Sequence, residues 1–423
     1  MNPRKLLLDS FKAAVAAADP LKIVPPHLPR PPRGRTLVVG AGKAAASMAA
    51  AVERHWPTGA PLEGLVITRY GHGLPTRRIR VVEAGHPVPD EQGEAAAAEI
   101  LQRAMALGRD DLLLALVSGG GSSLLSLPVE GVPMADLKAV TRELLRSGAP
   151  IQDMNTVRKH LSRIQGGRLA AACPARTLAL TISDVTGDDP THIASGPCAP
   201  DPTTYADALG ILERNGVKPP ASVQALLRGG VAGNPGETPK PGDPLFRRVE
   251  NRVIATAHAS LEAAAKFFRG QGIRPVILGD SVTGEARDVG SVYAALVKEV
   301  RDHGHPWKAP VALISGGEAT VTVRGQGRGG RCTEFLLSLA IELGGMRGAW
   351  ALAADTDGID GSEDNAGAIA TPDSLRRAAK LGLGAEKLLA VNDAWGFFDA
   401  LGDLVVTGPT RTNVNDYRVI LIR

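Results

Sequence analysis

With 423 residues, 44% hydrophobic and 22% charged, the chain is long enough for two domains and ordinary for a globular protein. Aromatic residues make up only 4%, which argues against stacking platforms for single-stranded nucleic acid, and the net charge of +4 is spread along the chain instead of gathered in a tail. The three cysteines, Cys173, Cys198 and Cys332, fit no metal or disulfide spacing; no apolar run of about 18 residues offers a membrane span, and Asp9 and Lys12 interrupt any signal-like segment. A cytoplasmic protein without nucleic-acid or membrane partners is expected.

Residues 6–18 have the spacing of an amphipathic helix. A proline-rich stretch, 25–32, leads into the apolar run 36–40, which reads as a buried parallel strand ending at Gly40. Helix 44–54, strands 65–67 and 80–82, helix 90–107 and strand 112–117 follow. Residues 155–172 read as one long basic helix, 177–182 as a strand and 205–228 as two helices. The segment 229–244 is rich in Gly and Pro, and the domain boundary is placed there, giving domains 1–240 and 241–423. Strands are then expected at 252–256, 275–278, 311–314, 350–354, Val405 and 418–422, with helices at 261–269 and 332–343. Alternating strands and helices predict an α/β fold with mainly parallel sheets. A Ser-Gly-Gly sequence follows a strand at Ser118 and again at Ser315, once in each half.

Ligands of open parallel sheets bind beyond the carboxyl ends of the strands, and the polar clusters of this chain fall there. Gly40, Gly42 and Ala45 fit a G-x-G-x-x-A spacing, which raises a dinucleotide reading. The next strand ends in Thr68 and Arg69, however, where a ribose would want a carboxylate, and Lys43 adds an ammonium suited to a phosphoryl group or a carboxylate. Ser118, Gly119, Gly120, Gly121, Ser122 and Ser123 form a turn whose backbone N–H groups and hydroxyls suit a phosphate; a plain flexible turn is the other reading. Asn155, Arg158 and Lys159 open a basic segment able to hold an anion, or simply to face solvent. Asp184, Asp188 and Asp189 place three carboxylates within six residues, as a Mg²⁺ site or a solvated acidic turn. Glu318 precedes a glycine-flanked segment, 325–331, expected to be a mobile loop carrying Arg328 and Arg331, with free N–H groups at the helix that Arg331 opens. Asp355, Asp357 and Asp360 fail the EF-hand pattern and are open to ligand contact or to capping.

Together these segments resemble the glycerate 2-kinase family of the MOFRL type. The resemblance runs from Val39 to Val414 and includes Lys43, residues 118–124, 155–169, 183–189 and 194–197, Ser315 to Glu318, Arg331, residues 355–361 and 407–414. It implies two Rossmann-like α/β domains with the site in an interdomain cleft, ATP and Mg²⁺, and D-glycerate converted to 2-phosphoglycerate. Its catalytic lysine and arginine map onto Lys43 and Arg331. Nucleotide binding then falls to residues 118–123 and Glu318, substrate binding to Asn155, Arg158, Lys159, Asp355 and Asp357, and metal binding to Asp184, Asp188 and Asp189. Cys332 stands where the family often has Asn. Relatives also carry the label hydroxypyruvate reductase, which is the alternative activity, and a homodimer is left open.

Overall fold

Strands form where the sequence is continuously apolar, and their order decides which polar turns meet. The computed structural model describes residues 2–423. Two compact units divide the chain: Pro20–Ile254, and residues 2–19 joined to Ala255–Arg423.

The first unit holds β1 (Thr36–Ala41), β2 (Leu62–Arg69), β3 (Ile79–Ala84), β4 (Leu112–Val117), β5 (Arg176–Ile182) and β6 (Val249–Ala255), in the order β3-β2-β1-β4-β5-β6. β1 pairs parallel with β2 and β4, β2 with β3, and β4 with β5. Every side chain of β1 and β4 is buried, as a strand covered on both faces requires. Burying each leucine or valine of β4 contributes roughly 1.5–3 kcal/mol. Parallel pairing puts the ends of β1 and β4 side by side, with Ala41 opposite Val117, so the turns that follow them meet.

The second unit holds β7 (Arg274–Gly279), β8 (Val311–Ser315), β9 (Ala349–Asp355), β10 (Gly367–Ala370), β11 (Leu404–Val405) and β12 (Asp416–Ile422), in the order β11-β10-β9-β12-β8-β7. The expectation of mainly parallel strands fails here. Only β7 and β8 run parallel; β12 inserts antiparallel between β8 and β9, and β10 and β11 continue antiparallel. The last strand therefore begins where β8 and β9 end.

The domain limits also move. β6 completes the first sheet beyond the glycine- and proline-rich segment, so the boundary falls near 254 instead of 240. The first helix, Pro3–Ala17, buries Leu6, Leu7, Phe11 and Ala14 in the core of the second unit, beside Phe268 and Tyr417. The expected helix 155–172 is two helices, Ile151–His160 and Arg168–Ala172. Gly166 and Gly167 break it, with φ of 59° and 81° that a helix does not tolerate.

Candidate active site

In the first unit the turns after β1 and β4 are laced together. A side chain at Gly40 would collide with the Leu116 carbonyl, and one at Gly42 with Ser118, so both glycines serve close approach. The Lys43 N–H donates to the Gly119 carbonyl at 2.8 Å, the Ala44 N–H to Ser118 Oγ at 3.1 Å and the Ser118 N–H to the Ala41 carbonyl at 3.1 Å. Half-buried Lys43 thus shares one corner with the turn 118–123. Gly120 takes φ 80°, and among the described residues the amides of Gly119 and Gly120 have no internal acceptor. The hydroxyls differ from expectation. Ser118 is fully buried and accepts from Ala44; Ser123 donates back to the Gly120 carbonyl at 3.2 Å; Ser122 is bonded to Ser195 at 2.9 Å.

The helix Ile151–His160 sorts its polar side chains sharply. Lys159 is wholly buried and paired with equally buried Asp201 at 2.7 Å, so its ammonium is structural and unable to grip a substrate carboxylate. Burial alone would raise the Asp201 pKa; Lys159, joined by the Thr203 hydrogen bond and His160, outweighs it and holds the carboxyl below its ordinary value. Arg158 is the reverse case. It is half-buried, and its hydrogen bond is to a neutral acceptor, Asn155 Oδ1, at 3.3 Å. Burial pulls its pKa down to about 10, still well above neutrality, so Arg158 stays a cation whose hydrogen bond is to an amide instead of a carboxylate.

The loop after β5 carries Asp184, Asp188 and Asp189. Asp188 takes φ 54°, and Asp189 Oδ1 accepts from the Thr191 N–H at 2.9 Å. Among the described residues no group of three or more His, Cys, Asp or Glu is arranged to hold a metal ion, so these carboxylates do not make a preassembled cage.

In the second unit the antiparallel insertion of β12 assembles a site around Arg331. Asp355 ends β9, Asp416 opens β12 directly opposite it, and Glu318 follows the turn after β8. Arg331 Nε donates to Asp416 at 2.7 Å, Nη2 to Asp355 at 2.7 Å and Nη1 to Glu318 at 3.0 Å. Burial would lower the Arg331 pKa, but these three carboxylates outweigh it and hold the charge fixed. Fully buried Arg418 also donates to Asp416, and to the Gly316 carbonyl at 2.9 Å. Glu318 is the exchangeable partner: its side chain is 57% exposed, against 4% for Asp355 and 0% for Asp416.

Three expectations about this region are corrected. The N–H groups at the start of the helix Arg331–Leu343 are not free: Asp360 accepts from Cys332 at 2.9 Å and from the Thr333 N–H and hydroxyl at 2.8 Å each. The glycine-flanked segment is no loose lid either. Asn392 Oδ1 accepts from the N–H groups of Arg324 and Gly325, Asp393 accepts from that of Arg328, the Gly327 N–H donates to Val391, and Arg328 stacks on Trp395 at 3.8 Å. Gly325 and Gly327 let this backbone press against residues 391–393, where a side chain would collide. Asp357, expected to touch substrate, is buried and accepts from the Ile359 N–H at 2.8 Å. Burial pushes the Cys332 thiol well above its ordinary pKa, so it is a packing residue.

Asp360 also yields a test. Burial raises its carboxyl to about 6, yet it satisfies three donors at the helix that carries Arg331. Asp360→Ala is expected to cost about 1–2 kcal/mol, as lost caps do, and to lower turnover by loosening Arg331. Thermal melts read beside initial rates check both effects.

Asp416 and Arg418 were not picked out in the sequence; Asp360 was marked there as open to ligand contact or to capping, and it caps a helix, while Ser195 stood only within the matching stretch 194–197. Asp416 becomes visible only once the last strand is known to run antiparallel, and Arg418 reads in the sequence as one more residue of that strand.

Glycine turns with fixed cations at strand ends are the equipment of α/β enzymes that handle small anionic substrates. Residues 6–228 match the model of the domain of unknown function DUF4147 and residues 311–416 that of the MOFRL family; the chain belongs to this DUF4147/MOFRL family. It is 53% identical, over 100% of its length and 95% of the relative's, to an Agrobacterium vitis protein named "Putative hydroxypyruvate reductase". It is 40% identical to D-glycerate 2-kinase of Thermotoga maritima, covering 99% of this chain and 98% of that one. The crystal structure of glycerate kinase from Thermotoga maritima superposes with a TM-score of 0.87 at 38% identity, covering 99% of both chains.

Proposed function

We propose that the chain is a phosphotransferase that moves the terminal phosphoryl group of ATP onto the 2-hydroxyl of D-glycerate. The observation that carries this reading is the match, over 99% of both chains, to the fold of a glycerate kinase. Phosphoryl transfer asks little covalent chemistry of a protein; it asks for positioning and fixed charge. In this reading the amides of Gly119 and Gly120 and the Lys43 ammonium hold phosphate oxygens. Arg331 meets the transferring group through Nη1, exchanging Glu318 for a phosphoryl oxygen while Asp355 and Asp416 keep the guanidinium plane aligned. Arg158 holds the substrate carboxylate. Mg²⁺ arriving on nucleotide phosphates needs only one or two protein carboxylates; Asp184 and Asp188 are the residues that would hold it, and it would neutralise phosphate charge there.

The name of the Agrobacterium vitis relative supports a second reading, NAD(P)H-dependent reduction of hydroxypyruvate. Against it, β2 ends in buried Thr68 and then Arg69, where a dinucleotide ribose would be met by a carboxylate. ADP release on D-glycerate, run beside NADH and NADPH oxidation on hydroxypyruvate, separates the two. Lys43→Ala is expected to lower kcat/KM for ADP release by about 10²-fold, the scale of losing one fixed donor to developing charge. Unchanged turnover in that variant would remove Lys43 from the chemistry.

A further inference from the structure

One side chain of the glycine-rich turn has its hydrogen-bonding role decided by counting protons. Ser122 Oγ lies 2.9 Å from Ser195 Oγ, Ser195 Oγ lies 3.3 Å from Asn155 Oδ1, and Arg158 Nη1 donates to that same Oδ1 at 3.3 Å. The Asn155 amide is fixed by its other end, where Nδ2 donates to the His192 carbonyl at 3.3 Å. Turning the amide over would set its NH₂ against a guanidinium and its oxygen against a carbonyl, so the orientation follows from chemistry. An amide oxygen cannot donate, and a hydroxyl has one proton. Ser195 therefore commits its proton to Asn155 and can only accept from Ser122. Ser122 in turn gives its proton to Ser195 and presents lone pairs to whatever approaches.

The chain of bonds is held in place. Ser195 is fully buried at φ 57°, between Ala194 at 50° and Gly196 at 58°, and its carbonyl accepts from the Gly166 N–H at 2.9 Å. Gln165 Nε2 grips the Ser122 carbonyl at 2.8 Å. Left-handed backbone at two non-glycine residues costs free energy and persists only where surrounding contacts enforce it.

We propose that Ser122 accepts a hydrogen bond from a hydroxyl of the hydroxy-acid substrate, with Ser195 as the positioning residue that enforces this polarity. The proposal rests on the reading above that the ligand is a hydroxy acid. An ionised phosphate oxygen, itself an acceptor, would face a lone pair at Ser122 and gain nothing, so the nucleotide is held by other groups of the turn. A metal ion is disfavoured by the Arg158 charge further along the same chain. A hydroxyl is the group that fits: it supplies the missing proton, and Arg158 supplies the cation for the acid's carboxylate.

Calorimetric binding without nucleotide tests this, using D-glycerate, 3-hydroxypropanoate, which lacks the 2-hydroxyl, and D-lactate, which lacks the 3-hydroxyl. Wild type is expected to bind D-glycerate about tenfold or more tightly than at least one of the deoxy acids, since a site built to pair a hydroxyl rejects the analogue lacking it. Ser122→Ala and Ser195→Ala are each expected to reduce that preference to within about twofold while ATP affinity stays within about twofold; Ser122→Thr, which keeps the hydroxyl, retains it. Loss of ATP affinity in Ser122→Ala with the preference intact overturns the proposal, as does an unchanged preference in a folded Ser195→Ala. If Ser195→Ala does not fold, Ser122→Ala and Ser122→Thr decide. ADP release is measured separately: turnover of D-glycerate with equal binding of all three acids defeats this proposal and spares the kinase reading, whereas a clear hydroxyl preference without turnover does the reverse.

Discussion

Arg331→Lys is expected to lower kcat by about 10³-fold with the fold intact. An arginine acting on transition-state charge in phosphoryl transfer is worth that much or more, and lysine keeps the charge without the shape. The guanidinium sends three separate N–H directions to Asp416, Asp355 and Glu318; an ammonium on a flexible stem cannot hold two buried carboxylates and still offer an aligned third donor. Steady-state ADP release on D-glycerate measures the loss. A rate within tenfold of wild type would leave Arg331 as a fold element only. Arg331→Ala is a poorer probe. It takes a cation from Asp355 and leaves Asp416 to Arg418 alone, with those carboxylates 4% and 0% exposed, and removing a cation from buried carboxylates destabilises by several kcal/mol. The three carboxylates around it make Arg331→Ala a change to the fold as well as to the site.

Much of the first unit was legible because its signals are local. Continuous apolar runs marked β1, β4 and β5 almost to the residue, and glycines after β1 and β4 marked turns whose meeting follows from parallel order. The repeated Ser-Gly-Gly shares one backbone feature, a positive φ at Gly120 and at Gly317, 80° and 102°. The second unit was less legible because its site depends on strand direction. Nothing local announces that Asp416 will lie opposite Asp355, since antiparallel insertion of the last strand is a long-range event. Burial was the other hidden variable. Arg158 and Lys159 are chemical near-equals in sequence, yet one is locked to Asp201 and the other has only an amide oxygen. The aspartates of 355–360 divide likewise: one holds Arg331, one folds its own turn and one caps a helix.

The Lys159–Asp201 pair carries the largest expected effect on stability. Both side chains are 0% exposed, so Asp201→Ala strands an ammonium in the interior. Breaking a buried pair from one side costs about 3–5 kcal/mol, because the remaining charge has lost both water and partner. Asp201 does more than pair: it also accepts from the Thr203 N–H at 3.1 Å, the Thr203 hydroxyl at 2.6 Å and the Thr238 hydroxyl at 3.0 Å, tying the segment around 238 to the helix of Lys159. For a unit of this size each kcal/mol shifts Tm by about 2–4 °C, so a drop of roughly 10 °C is expected by calorimetry. The sign with pH follows from the carboxyl's lowered pKa. Its stabilisation is fully present above the ordinary Asp value near 4 and is lost as pH falls through the lower folded value; the gap between wild type and Asp201→Ala should therefore hold from neutrality to about pH 5 and close at more acid pH. Replacing both partners, Lys159→Met with Asp201→Leu, should recover much of the lost stability, since neither desolvated charge remains. A double variant as unstable as Asp201→Ala would show that the threonine bonds, and not the ion pair, hold this region together.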